Sequence, residues 1–307
     1  MRESQGRPAW PGEGGDSAGS GLGSAAVLAD RPTGPPPVFE TPPLAGKLPG
    51  GVFGLLEQAG AMAQLLGEVV WSAIRRPVGY WRAVRDEMYT LLKLCWFPMI
   101  LAVFTFGVMV AILGINFTTL IGANNRYGQY FFIASVREFS PWINSMVVAG
   151  IIGAALAADL GARRVREELD ALKVLGMDPV RELVLPRVVS AVFMTALLNM
   201  VAIMIAVLSG LFGIIVFGGV SGGEYFSTLY ANLTPVEVWG SFIKSAVFGL
   251  VIGVVCSYKG FTAQGGAIGV GRAVNQAVVI SFVVIWLVDF AFSSIMLGLN
   301  PEMQTVR

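Results

Sequence analysis

Apolar residues are concentrated in five long segments of the chain, which are separated by more polar stretches. The segments cover about residues 95–116, 142–160, 188–220, 236–257 and 274–297. A helix needs roughly 20 apolar residues to cross the hydrocarbon core of a bilayer. The third segment has 33 residues and would be roughly 50 Å long as a helix, so we expect it to tilt, kink or leave the bilayer. The pattern predicts an all-α polytopic membrane protein with five transmembrane helices.

The region before the first of these segments divides into two parts. Residues 1–50 hold nine of the sixteen prolines, and glycine and serine fill most of the rest. Such a segment cannot bury a core, so we predict a disordered extension. Residues 51–94 predict an interfacial amphipathic helix on the membrane surface, because their apolar positions recur every three or four residues and Arg, Lys and Trp follow. A packed soluble helix is the alternative. The apolar positions are Phe53, Leu56, Ala59, Ala63, Leu66 and Val70.

Positive charge is unequally divided between the two sides of the five predicted spans. Thirteen arginines and lysines near the spans lie on the side that holds the amino terminus, against three on the other side, Arg126, Arg137 and Arg307. Because Lys and Arg are retained on the cytoplasmic side, we expect a cytoplasmic amino terminus. Five spans then place the carboxyl terminus outside the inner (cytoplasmic) membrane.

A charged segment separates the second and third spans. Residues 159–187 contain twelve charged side chains, and burying them in a bilayer would cost roughly 30 kcal/mol or more. We therefore place the segment in the cytoplasm. It predicts a short amphipathic helix over 163–178, which either presses into a groove of a partner or is an ordinary solvated loop helix.

The side chains of this predicted helix form two stripes. We expect the i,i+4 ion pairs Arg163–Glu167 and Arg166–Asp170 to support it, Gly176 to close it, and Pro179 to prevent its continuation while holding Asp178 extended. The apolar stripe is Val165, Leu169, Leu172 and Leu175, and the charged stripe is Arg163, Arg166, Glu167, Asp170 and Lys173.

The sequence lacks the residues that several kinds of catalytic and binding site require. It has no histidine, which excludes His-based catalysis and His metal ligands. Cys95 and Cys256 stand alone in apolar surroundings, which is typical of small core or lipid-facing residues. The sequence G-x-x-x-x-G-K-S/T is absent, so no nucleotide is held in the P-loop manner. We expect no catalytic, cofactor or metal site in this chain, and the net charge of +1 gives no reason to expect nucleic acid.

Two further features are candidates for function. Lys244 and Asp289 lie within the fourth and fifth spans, where charges are costly. They either form a structural ion pair or polar network, or contact lipid headgroups or take part in gating, and Lys244 could snorkel outward. A glycine-rich cytoplasmic loop precedes the fifth span and predicts a tight turn with close backbone packing or, alternatively, movement together with a partner protein. Its glycines are Gly265, Gly266, Gly269 and Gly271.

Two long blocks resemble one known family. They are ADLGARRVREELDALKVLGMDPVRELVLPRV at 158–188 and KGFTAQGGAIGVGRAVNQAVVISFVVIWLVDF at 259–290, and SGGEYFSTL and IKSAVFGLVIGVVC also fit. They resemble the MlaE/YrbE permeases of Mce-associated ABC transporters, most closely the A-type of the paired actinobacterial YrbE permeases. The resemblance implies an MlaE-like permease domain over 95–300 followed by a short outer tail at 301–307. It does not extend to residues 1–50 or 117–141.

The resemblance also implies a role for the charged segment and a set of partners. The segment would be the coupling helix that docks on the ATPase, with Arg164, Glu167, Glu168, Asp170, Lys173, Gly176, Asp178 and Pro179. The implied partners are two ABC ATPase subunits that bind ATP and Mg²⁺, a second permease (a copy of this chain or a B-type YrbE paralogue) and an Mce-domain lipid-binding assembly. The implied substrate is a phospholipid, fatty acid or sterol. An ion-coupled secondary transporter and a membrane scaffold without transport are the alternatives.

Overall fold

The computed structural model describes residues 50–75, 79–219 and 221–300, and no β-strand occurs within these ranges. The predictions for residues 1–49 and 301–307 lie outside the described residues. Five helices are long and apolar enough to cross a membrane, which confirms the predicted all-α fold with five spans. We label the helices α1 (Gly50–Arg75), α2 (Trp81–Leu120), α3 (Asn124–Val165), α4 (Glu168–Val174), α5 (Val180–Gly218), α6 (Gly222–Asn232), α7 (Pro235–Phe261) and α8 (Gly266–Leu299).

Helix α1 is a separate helix that rests against the ends of α5 and α7. It buries Ala61, Leu65 and Val69, which lie one turn apart on a single face. Leu56 and Val70, from the apolar stripe read in the sequence, are exposed. The helix therefore has two apolar faces, one against the protein and one left uncovered by the described residues.

The first spanning helix begins earlier than the sequence pattern predicts. We expected the span to start near residue 95, but α2 begins at Trp81 and continues through Pro98. Residues 81–94 contain no glycine or proline, so nothing stops the helix there. Val84, Leu91 and Cys95 are buried along one face, which joins the predicted interfacial part to the span.

The other four spanning helices are also longer than predicted. Helix α3 starts at Asn124 and includes π-helical turns at Ile133–Phe139 and Ala149–Gly153. Helix α5 has 39 residues, or roughly 58 Å, about twice the hydrocarbon thickness. It ends before Gly219, which has a left-handed φ of 63°, a conformation that glycine adopts without steric cost.

The centre of the molecule is formed by α5 and α7, which contact one another along their length. Helix α2 covers the other side of α5, while α3 and α8 cover α7. A Cβ atom added at Gly249 of α7 would lie 2.4 Å from the carbonyl oxygen of Ala191 on α5. Such close approach through small residues is typical of helix packing in membranes.

Candidate coupling site and intramembrane polar cluster

The charged segment between the second and third spans is not one helix. Helix α3 ends at Val165, Glu167 has a left-handed φ of 61°, and α4 covers only Glu168–Val174. The predicted continuous helix over 163–178 is therefore wrong at residues 166–167. A left-handed non-glycine residue costs about 1–3 kcal/mol, and new contacts across the turn offset this cost.

These contacts are ion pairs that join α3 to α4 across the turn. Arg163 Nη1 lies 3.4 Å from Glu168 Oε2, and Arg164 Nη1 lies 3.0 Å from Asp170 Oδ2. The predicted pairs Arg163–Glu167 and Arg166–Asp170 are wrong, because the break at Glu167 changes the direction of the helix. Arg166 instead pairs with Glu168 at 2.7 Å, which lowers the pKa of the Glu168 carboxyl.

The end of α4 exposes apolar side chains. Leu169 is fully buried, whereas Val174 is 88% exposed and Leu175 is 74% exposed. Of the predicted apolar stripe, only Leu169 is thus buried against the protein. Gly176 follows with a φ of 75°, and its backbone N–H donates to the carbonyl of Lys173 to close the helix. Val174 and Leu175 thus form an exposed apolar surface at the end of α4, which we call the tip.

The Asp-Pro pair begins the next helix. The side chain of Asp178 accepts a hydrogen bond from the backbone N–H of Val180 at 3.0 Å, and its carbonyl accepts one from Glu182. Asp178 thus acts as an N-cap, and Pro179 occupies the first turn, where its missing N–H has no cost. Asp178 therefore caps the start of the next helix, a role that the sequence analysis did not assign to it, and its predicted extended conformation stays a prediction.

Helix α1 lies close enough to the start of α5 for the charge of Asp178 to act on a side chain of α1. Burial and the negative charge of Asp178 together raise the pKa of the Glu68 carboxyl. The coupling segment therefore has a neighbour on α1 that the sequence pattern did not reveal.

A chain of ion pairs leads from α4 to three spanning helices. Arg163 of α3 contacts both Glu168 of α4 and Asp159. Asp159 Oδ2 also lies 2.5 Å from Arg187 Nη2 on α5. Arg187 Nε in turn lies 3.2 Å from Glu87 Oε1 on α2. We call Glu168, Arg163, Asp159, Arg187 and Glu87 the coupling network.

Sequence reasoning selected Glu168 as a site residue and placed Arg163 in the charged stripe, but it missed the other three members of the coupling network, Asp159, Glu87 and Arg187. Arg187 was counted only as a positive loop charge, and Glu87 was placed in the interfacial region. The two residues are 100 positions apart, and no local spacing rule relates residues so distant. The available signal was weak: an acidic residue one turn inside a spanning helix needs a counter-charge.

The two charges predicted inside the spans lie in one cluster. Lys244 is 2% exposed, and its Nζ lies 2.6 Å from Asp289 Oδ1 and 3.2 Å from Glu138 Oε2. It also donates to Ser293 Oγ at 2.9 Å and to the carbonyl of Arg137 at 3.0 Å. The expectation that Lys244 could snorkel outward is therefore wrong, because its ammonium group is satisfied inside the protein.

The polar cluster extends beyond this pair through residues that the sequence analysis did not select. Arg137 forms a salt bridge with Glu237 at the start of α7, and Ser293 donates to Glu138 Oε1 at 2.9 Å. Positive and negative groups alternate, so each charge has an opposite neighbour. We call Arg137, Glu138, Glu237, Lys244, Asp289 and Ser293 the intramembrane polar cluster.

The glycines predicted as a loop lie mostly in a helix. Gly265 is in the turn with a φ of 90°, but Gly266, Gly269 and Gly271 belong to α8, which begins at Gly266. A Cβ atom at Gly269 would lie 1.7 Å from the carbonyl oxygen of Gln264. The prediction of close backbone packing thus applies to Gly269, while the prediction of a longer loop is wrong.

The family model described as Permease MlaE matches residues 84–295. This range covers more than half of the chain and reaches all five spanning helices. The chain belongs to the MlaE permease family. It is therefore a multi-pass membrane permease, and the match includes α4, the coupling network and the intramembrane polar cluster, whereas α1 precedes the matched range.

Curated relatives of this MlaE permease come from plants and bacteria. It is 38% identical over 176 residues to the Arabidopsis thaliana protein TRIGALACTOSYLDIACYLGLYCEROL 1, chloroplastic, a match that covers 57% of this chain and 50% of that protein. It is 31% identical over 189 residues to a probable ABC transporter permease protein of Rickettsia prowazekii, covering 62% and 73% respectively. A probable ABC transporter permease protein of Synechocystis is 35% identical over 188 residues, covering 57% and 66%. The chain thus spans half of the Arabidopsis protein's length.

Proposed function

We propose that this MlaE permease is the non-catalytic membrane subunit of an ABC transporter that moves lipids, driven by ATP hydrolysis in a separate chain. The observation that carries the proposal is the coupling segment, whose exposed apolar tip stands at the end of an ion-paired connection to three spanning helices. Relatives named ABC transporter permease support the class of transporter.

The tip of α4 is the part that docks on the ATPase. Val174 and Leu175 are too exposed to stabilise this chain by packing, and an apolar patch with a charged rim marks a protein interaction site. Two ABC ATPase subunits, each binding ATP and Mg²⁺, would contact this permease and a second one. Of the other residues that the family resemblance assigns to coupling, Lys173 and Gly176 directly flank the tip in the sequence.

The coupling network transmits movement of α4 to the spans. Its most buried residue, Arg187, is only 16% exposed, so the ion pairs of Arg187 are screened less by water than surface pairs are. A shift of α4 moves Glu168 and Arg163, and through Asp159 it reaches α5 and α2. Rigid, discrete contacts of this kind can bias the arrangement of packed helices.

The substrate we propose is a lipid, a phospholipid, fatty acid or sterol. The Arabidopsis relative carries the name of a lipid, trigalactosyldiacylglycerol, which favours this class. We further propose that the permease pairs with a B-type YrbE paralogue or with a second copy of itself, and that an Mce-domain assembly binds its outer face. We place the permease in the inner membrane, with its amino terminus in the cytoplasm.

One observation favours the second candidate, an ion-coupled secondary transporter. The intramembrane polar cluster contains five ionisable side chains, and such groups mark ion pathways in many transporters. Lipid movement driven by a proton or sodium gradient, without ATP, would support this alternative.

A pull-down tests the docking role of α4. The double substitution Val174→Asp and Leu175→Asp changes only exposed side chains, so the permease should fold and insert. We expect loss of the co-expressed cognate ATPase, because burying carboxylates in an apolar contact is costly. The matched control is Leu120→Asp with Ile121→Asp, which alters two exposed apolar residues at the carboxyl end of α2. Retention of the ATPase by the tip variant would show that α4 is a solvated loop helix.

A further inference from the structure

A polar cavity lies where α7 ends and α8 begins, beside α1. Its volume is about 340 Å³, within the range of about 300–1,000 Å³ found for small-molecule sites. No carboxylate is among the described residues that line it. Its polar lining side chains are those of Gln58, Tyr258, Lys259, Thr262, Gln264, Arg272 and Gln276.

Lys259 is a buried cation without an acidic partner among the residues of the described ranges. It is 7% exposed, and its Nζ donates to Gln58 Oε1 at 2.7 Å and to Gln276 Oε1 at 3.3 Å. These amide oxygens satisfy hydrogen bonds but do not neutralise the charge. Glu57, the neighbour of Gln58 in the sequence, forms no ion pair with Lys259 among the described residues. Since a buried charge is usually paired with an opposite charge, Lys259 favours the binding of an anion in this cavity.

Arg272 adds a second cation to the same cavity. It lies on the second turn of α8 and forms no ion pair within the part of the chain that the structure describes. Its Nη2 lies 3.4 Å from the position that a Cβ atom of Gly265 would occupy, so the guanidinium group lies over the α7–α8 turn. The positive end of the α8 dipole adds to the same field. An Arg and a Lys on one polar cavity form a suitable pair for a phosphate group.

We propose that this cavity binds the phosphate group of an anionic phospholipid of the surrounding membrane. Because α7 and α8 are spanning helices joined by a four-residue turn, the cavity lies at the membrane surface, at the depth of lipid headgroups. Helix α1, which contributes Gln58 to the cavity, also exposes Trp71 and Ile74, side chains of the kind that bind at a membrane surface. The proposal requires only that α7 and α8 span the membrane, and not that the permease transports the bound lipid.

Thermal stabilisation of the purified full chain in mild detergent tests the site with three probes. Dioctanoyl phosphatidylglycerol carries phosphate and acyl chains, dioctanoylglycerol carries acyl chains alone, and inorganic phosphate carries neither acyl chain nor glycerol. We expect the phosphatidylglycerol to raise Tm in a saturable manner, and the other two probes to have no effect at the same concentration. Equal stabilisation by inorganic phosphate would overturn the lipid assignment, and equal stabilisation by dioctanoylglycerol would overturn the phosphate contact.

Two variants locate the effect in the cavity. Arg272→Gln removes the exposed cation, and Gln58→Glu places a carboxylate beside Lys259 without changing side-chain size. We expect each to weaken phosphatidylglycerol binding about tenfold, which is the scale of one lost charge-assisted contact. Gln58→Glu should also keep the fold, because it completes an ion pair.

The matched control is Arg82→Gln with Lys93→Gln, which removes one Arg and one Lys from exposed positions on α2. It should bind phosphatidylglycerol as the natural chain does. If both cavity variants bind as tightly as this control, the lipid is bound elsewhere and the inference is wrong.

Discussion

At the residue scale, the side chain of Lys244 is held by several polar contacts inside the protein. Asp289 and Glu138 are its acidic partners, and removing one member of a buried ion pair leaves the other charge uncompensated. The sequence alone identified Lys244 and Asp289 as charges within spans. It could not show that they meet, because the relative rotation of α7 and α8 depends on packing. Arg137 was counted only as a positive loop charge, and Glu237 was not selected, because both lie near the ends of predicted loops.

Lys244→Met should lower the unfolding free energy of the purified chain by about 3–5 kcal/mol, since Asp289 then stays buried without a counter-charge. Adding Asp289→Asn should restore much of this loss, because no uncompensated charge then remains at that position. Chemical denaturation in mild detergent measures both. Equal losses in the single and double variants would contradict the pairing.

Glu68 predicts a pH dependence of stability. Burial and the charge of Asp178 raise its pKa in the folded protein, so the unfolded chain releases this proton first as pH rises. The contribution of Glu68 to the free energy of unfolding is then most favourable below the ordinary pKa of glutamate. It becomes less favourable as pH rises towards the raised pKa. Glu68→Gln should raise Tm at pH 7.5 and leave it unchanged at pH 4. An identical change in Tm at both pH values would show that the effect is not due to ionisation.

At the element scale, the number and type of spanning helices could be predicted from hydrophobic length alone. The starts of α2, α3 and α5 could not, because the helices continue beyond the apolar residues into polar sequence. The break at Glu167 was also hidden, since glutamate ordinarily favours helix. Only the ion pairs of Arg163 and Arg164 with α4 provide a physical reason for it.

Because α5 and α7 pack closely at Gly249, we predict that a larger residue there destabilises the protein. Gly249→Ala places a Cβ atom against the backbone of Ala191, which cannot move as a side chain can. We expect a loss of about 1–3 kcal/mol, the usual cost of overpacking. The control, Gly271→Ala, meets open space and should be neutral or stabilise the helix by up to about 1 kcal/mol. Similar unfolding free energies for the two variants would mean that the helices are not in close contact.

At the scale of the whole molecule, the proposed topology can be tested by cysteine labelling. In a background with Cys95 and Cys256 replaced by alanine, we introduce a cysteine at Lys173 on α4 or at Leu120 at the end of α2. Both positions are exposed. The positive-inside distribution predicts that a membrane-impermeant reagent labels position 120 in intact cells, and position 173 only after the membrane is opened. The reverse result would invert the topology.

The arrangement of the whole chain explains why an MlaE permease would interrupt its spans with a charged segment. Helix α4 stands outside the spans, and the coupling network ties it to α2, α3 and α5. We propose that ATP hydrolysis in a partner moves lipid through this connection. Arg187→Gln removes the guanidinium that joins Asp159 to Glu87 but leaves the tip of α4 unchanged.

The most direct test is ATP-dependent movement of a fluorescent phospholipid in proteoliposomes that contain the permease with its cognate ATPase and partners. We expect movement that requires ATP hydrolysis in the natural chain and in the control Arg85→Gln, which alters only an exposed surface pair. Arg187→Gln should retain the ATPase but move lipid at least about tenfold more slowly. A tenfold effect is within the usual range of coupling between two sites. Lipid movement that proceeds without ATP, or that is undiminished in Arg187→Gln, would contradict the account.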